Sequence, residues 1–177
     1  MQNRRNQLIV ALIAASTIFT AAVIAADKTK PAEEDAAVAR TRKQVRMLDD
    51  LYKMAIVTVT DKYVHKEDDI AAAVSFKAVF TAMKTNGWHE VRLIDATGAP
   101  YNDANLPKDA FEKEAIKQLK AGKASFEQIE KRDDDRVLRV ATIVPVVMDK
   151  CTKCHDPYKQ AKTGEAIGAL SYTLKIE

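Results

Sequence analysis

Apolar residues recur at intervals of three, four or seven between Pro31 and about Tyr63, at Val38, Val45, Leu48, Tyr52, Ala55 and Val59. A period near 3.6 predicts one long amphipathic helix, occupying residues 27–66 with its flanks. Glu67-Asp68-Asp69 supplies negative charge suited to the start of a second helix. Phe76, Phe80 and Met83 mark the buried face of that helix, and Asn86-Gly87 ends it.

The period then falls to two. From Trp88 to Ile94, His89, Val91 and Leu93 take one side and Trp88, Glu90 and Arg92 the other, the pattern of a half-buried strand. Residues 95–106 form a turn-rich connection with Gly98, Pro100 and Asn102. A third helix is predicted from about Pro107 to Ala121, with Phe111, Ala115 and Leu119 inward and Gly122 as its stop. Ser125–Lys131 and Arg136–Val144 read as a hairpin around the charged turn at 132–135, whose aspartates are solvated turn residues rather than a metal site. A last strand, about Ile167 to Ile176, carries Leu170, Tyr172, Leu174 and Ile176 on one face and Ala169, Ser171 and Thr173 on the other. Two helices followed by a small antiparallel sheet with an inserted helix define an α+β domain. Residues 67–177 hold the sheet and pack with 27–66 as a single domain.

The N-terminus belongs to another class of segment. Arg4 and Arg5 precede a nearly unbroken apolar run, Leu8 to Ile24, and the small residues Ala25-Ala26 lead into polar Asp27-Lys28. This is the layout of a signal peptide over residues 1–26, cleaved after Ala25 or Ala26, and it predicts export to the periplasm. The alternative is an uncleaved anchor, since seventeen apolar positions approach the lower limit of a membrane span. Removing Arg4 and Arg5 lowers the formal charge from +3 to +1, which argues against nucleic acid as a partner.

Both cysteines lie in Cys151-Thr152-Lys153-Cys154-His155. Two cysteines one helical turn apart match the vinyl separation of a haem, and the adjacent histidine projects onto the iron from the same side. This is the signature of c-type attachment: thioethers from Cys151 and Cys154, with His155 as the proximal iron ligand. A zinc site would want a second close-spaced ligand pair, and a thioredoxin-like pair would want a different chain context. One motif predicts one covalent haem c and its iron.

The distal iron ligand stays open. The candidates are His89, facing the interior from its strand; His65, just past the long helix; one of Met47, Met54, Met83 and Met148; or a vacant site. For His89 the competing role is a hydrogen-bonded core residue, for His65 an exposed loop position, and for Met47 and Met54 core packing on the long helix. Lys150, Lys153, Lys159 and Lys162 flank the motif and would steer an acidic redox partner, unless they are ordinary solvated lysines.

Two stretches carry a wider resemblance: Pro145-Val146-Val147-Met148 before the motif, and the asparagine- and proline-containing run Asn102 to Glu112 leading into a helix. With the helix-helix-strand beginning, the mature chain resembles a family of single-haem c-type proteins with a PAS-like fold. That family comprises stand-alone periplasmic or lumenal cytochromes and the haem sensor domains of bacterial signalling proteins. The resemblance implies a PAS-like haem pocket with His155 proximal. Some relatives look as though a cysteine on the first helix is the distal ligand; the comparable stretch here, Ala55 to Thr60, has none. The expected function is single-electron transfer to a redox partner protein. The alternative is a sensor module for redox state or for a small gas such as nitric oxide or carbon monoxide. Enzymatic activity, of the peroxidase kind, is not expected.

Overall fold

The computed structural model describes residues 35–66, 69–153 and 156–177. The proposed leader therefore lies outside the described residues. Helix α1 runs Ala36–Tyr63 and opens on Asp35, whose side chain accepts from the Ala37 amide. Val38, Thr41, Val45 and Tyr52 are its buried stripe, as the period of the sequence requires. Met47 and Met54, by contrast, are each 64% exposed, so their seven-residue spacing marks the outer face of α1 and not its core.

Helix α2 is Ala72–Thr85 and starts later than the acidic run suggested. The Asp69 carboxylate accepts the amides of His65 at 2.7 Å and Lys66 at 3.1 Å instead, so it closes a turn between the helices. Gly87, with φ at 76°, completes the exit from α2. Strand β1 is Glu90–Asp95; Trp88 stands outside it and is 73% exposed. A 3-10 turn at Asp103–Asn105 precedes helix α3, Ala110–Lys120. The helix begins after Pro107 because Asp109 is its cap, accepting the Glu112 amide at 2.9 Å. Strands β2 (Ser125–Arg132) and β3 (Asp135–Pro145) form the expected hairpin, and Asp133 adopts φ 52° in the tight turn between them. Strand β4 is Ala166–Lys175.

The four strands form one antiparallel sheet in the order β1-β4-β3-β2. Its two faces carry separate cores, as strand alternation demands. On one face, Val91, Leu138, Val140, Leu170, Tyr172 and Leu174 pack against Val45 and Tyr52 of α1 and Phe80 of α2. On the other, Ile94, Ala141 and Ala169 meet Phe111, Ala115 and Leu119 of α3. Side chains as buried as Leu138 and Leu170 contribute roughly 1.5–3 kcal/mol each. This helices-on-both-faces arrangement is the α+β, PAS-like architecture expected. Among the described residues, no helix is long and apolar enough to cross a membrane.

Polar anchors orient the layers. Asp49 of α1 accepts from Thr142 at 2.6 Å, from Tyr172 at 3.0 Å and from Lys53 at 2.9 Å, tying α1 to β3 and β4. On the opposite face Arg139 lies over the Phe111 ring at 4.1 Å and pairs with Asp109 at 2.8 Å. Glu112, 2% exposed, pairs with Arg92 of β1, whose guanidinium also donates to the Ala104 carbonyl at 2.9 Å.

Candidate functional site

The chain leaves the sheet at Pro145, where the β3–β4 register shifts, and returns at Ala166. At the neck of this excursion the Val146 amide donates to the Glu165 carbonyl at 3.0 Å, and the Gly164 amide donates to the Val146 carbonyl at 2.8 Å. Residues 147–163 are therefore a loop with its ends held together. Within it the Cys151 amide donates to the Met148 carbonyl at 3.0 Å, opening the short helix α4, Lys150–Lys153. Cys151 is half-buried and its thiol is free. Cys154 and His155, the other two members of the motif, lie outside the described residues, as do the side chains of Lys153 and Asp156.

The loop is pinned on both sides of the motif. Upstream, Lys150 Nζ donates to the carbonyls of Asp61 at 2.7 Å and Thr60 at 3.4 Å. An ammonium on the last carbonyls of α1 suits the negative end of that helix. Downstream, the Tyr158 hydroxyl donates to Asp95 Oδ1 at 3.0 Å. Asp95 is 3% exposed and also accepts from Thr97 Oγ1 at 2.9 Å and the Gly98 amide at 2.6 Å. Burial, and then the Asp95 carboxylate, push the Tyr158 hydroxyl well above the ordinary tyrosine range, so it remains a donor.

This changes the reading of the lysines. Lys150 is engaged with the carbonyls at the end of α1 and Lys159 has a partner of its own, so neither is simply a solvated surface lysine. Lys162 is exposed, and its amide closes a turn with Glu165 at 3.0 Å.

The candidate distal ligands separate by position. His89 is 8% exposed, and its Nε2 shares a hydrogen bond with the Tyr52 hydroxyl at 2.9 Å. Burial lowers its pKa and keeps the ring neutral. It precedes β1, whereas Cys151 follows β3; both strands run antiparallel to β4 and hence parallel to each other, so the two residues lie towards opposite ends of the sheet. Along α1, the eight residues from Tyr52, which holds His89, to Thr60, which holds Lys150, span about 12 Å. His65 is exposed and lies at the motif's end: Lys62 chiefly, and Lys150 and His65 by their charge, hold the Asp61 carboxyl below the usual range. Met148 is half-buried, three residues before Cys151. No periodicity argument could have drawn this distinction, because it depends on strand order.

Of the motif's three donors only Cys151 lies among the described residues, and its surroundings suit a haem. The Cys151 thiol is free, and the residue is half-buried on a short helix beside the end of α1. There Ala55, Ile56, Val57 and Val59 are only half-buried, leaving apolar surface for a cofactor to cover.

Residues 19–173 match the sequence profile of the Tll0287-like family. The chain belongs to the Tll0287-like family. The fold also matches the crystal structure of the cyanobacterial haem protein Tll0287, with a TM-score of 0.51 at 15% identity. The match covers 81% of this chain and 97% of that one, and at such identity it speaks for the shared fold. Comparison with curated proteins found no match.

Proposed function

We infer that the chain is an exported c-type haem protein that carries single electrons in the periplasm. The observation that carries this reading is the spacing Cys151-x-x-Cys154-His155. Three further findings support it: the motif's loop is closed at its neck and pinned on both sides, Cys151 is free, and a haem protein shares the fold. Cys151 and Cys154 would hold one haem by thioethers, and His155 would give its iron the proximal imidazole. When bound, the group supplies a one-electron ferric–ferrous couple whose potential depends on axial ligation and pocket polarity. The chain's part is to fix the cofactor on a loop anchored to α1 and β1, which limits structural change between redox states. Leader cleavage after Ala25 or Ala26 and a redox partner protein belong to the same reading.

A gas- or redox-sensing role is favoured by one observation: the half-buried end of α1, Ala55 to Val59, carries no side chain able to ligate iron. An open or exchangeable distal position would then admit a small ligand, with His65 or Met148 as the side chains at that end.

The test is a visible spectrum of the purified protein, ferric and then reduced, before and after carbon monoxide. Haem that stays with the denatured protein, together with sharp reduced bands unmoved by the gas, is expected for electron transfer. A broad reduced spectrum that shifts with the gas would transfer the assignment to sensing. No haem in protein from cells that mature c-type cytochromes would end the reading.

A further inference from the structure

Among the described residues strand β1 is an edge strand, paired only with β4. Just past its end, the Ala96 amide donates inward to the Ile167 carbonyl at 3.2 Å. Backbone direction alternates along an antiparallel strand, so Ile94, Arg92 and Glu90 also face β4. Val91 and Leu93 accordingly turn their N–H and C=O groups outward, and none of the four has a partner among the described residues. A groove of about 290 Å³ runs along this edge. Its lining includes the consecutive residues Glu90 through Leu93, which one face of a strand cannot supply, so the groove follows the backbone itself. Helix α2 forms one wall, with Phe80 and Lys77, and the loop that ends at Lys108 forms the other.

The charges of the groove are unbalanced. Lys84 is matched by Glu90 at 3.3 Å, and Arg92 by Glu112. Lys77 and Lys108 have no acidic partner among the described residues. Two lysines without an acidic partner thus line the same groove as four unpartnered backbone groups. Open strand edges in natural proteins are usually covered or paired, and this one is left open inside a walled slot.

We propose that the β1 groove receives an extended acidic segment of a partner protein, which adds to the sheet as a fifth strand. The segment's backbone would bond to Val91 and Leu93, and its carboxylates would meet Lys77 and Lys108. A small anion would satisfy the lysines but leave the strand edge unused, which is why a peptide is the occupant the groove fits.

The experiment uses the full chain as purified and a fluorescein-labelled peptide of repeating glutamate-glutamate-valine-valine, which turns carboxylates to both walls, read by anisotropy, with amide exchange followed at Val91 and Leu93. Saturable, salt-sensitive binding that slows exchange at both amides is expected. The double variant Lys77→Glu/Lys108→Glu should weaken it about tenfold. The same peptide with N-methylated valines should not bind, a result that does not depend on any variant folding. Equal binding of the N-methylated peptide would overturn the proposal. So would full competition by free glutarate with no protection of Val91 and Leu93, which would mean a small-anion site, or no binding by the acidic peptide.

Discussion

Tyr172 offers the sharpest test of the packing. It is fully buried in β4, and its hydroxyl donates to Asp49 Oδ1 at 3.0 Å. Burial, and then the Asp49 carboxylate, push its pKa far above the ordinary tyrosine value. An unfolded tyrosine ionises near pH ~10, whereas the folded one keeps its proton. The stabilisation from Tyr172 is therefore complete below that pH and is lost above it, where only the unfolded chain gains by ionising. At pH ~11 that gain is about 1.4 kcal/mol for one tyrosine. Tyr172→Phe removes both this pH dependence and a hydrogen bond to a charged acceptor, worth about 1.5–3 kcal/mol. Urea unfolding followed by circular dichroism should find the variant less stable by about 1.5–3 kcal/mol at pH ~8. The deficit should shrink by about 1.4 kcal/mol at pH ~11. A deficit that stays constant between the two values would refute the argument, because Tyr172 would then titrate in the folded state as it does in the unfolded chain.

Other positions give independent checks. A Cβ at Gly168 would stand 2.7 Å from the Ile94 carbonyl oxygen, so Gly168→Ala should cost roughly 1–3 kcal/mol and lower the melting midpoint; an unchanged midpoint would mean the two strands separate freely. Lys150→Met removes the donor to Thr60 and Asp61, and limited proteolysis should cut within 147–163 faster than in the parent, with a stability loss of only about 0.5–1 kcal/mol. His89→Phe leaves the buried Tyr52 hydroxyl without its partner and should cost about 1–3 kcal/mol while leaving the reduced visible spectrum unchanged; an altered spectrum would make His89 an iron ligand.

The elements themselves were legible wherever one face met a core. The stripe of α1 and the alternation Leu170-Tyr172-Leu174 in β4 follow from burial on one side, the hairpin from the turn chemistry of Asp133-Asp134, and the structure has them. Boundaries set by side-chain hydrogen bonds were not legible. Asp69 caps a turn by accepting from His65 and Lys66 and leaves the start of α2 to Ala72 without a side-chain cap. At the candidate site, the motif could be read from spacing alone, but its anchors could not. Lys150 looks like any surface lysine until α1 ends beside it, and Tyr158 like any loop tyrosine until Asp95 is buried within reach. The alternation that turns His89 inward agrees with its burial, yet the residue lies just before β1 and its neighbour there is Tyr52. Which end of a sheet a residue occupies depends on strand order, and no local pattern encodes that.

Strand order also dictates a sequence of events. β4, the last of the described strands, lies between β1 and β3 and pairs with both. A chain that emerges N-terminus first can form α1, α2, α3 and the β2–β3 hairpin early, since their contacts are local. β1 has no strand to join until Ala166–Lys175 has appeared. The segment with Cys151, Cys154 and His155 comes out before that point, so its side chains are presented while the sheet is still divided into two halves. If the motif holds a haem as proposed, the interval between delivery of the motif and arrival of β4 is a window in which so bulky a group can be installed without prying open a finished core.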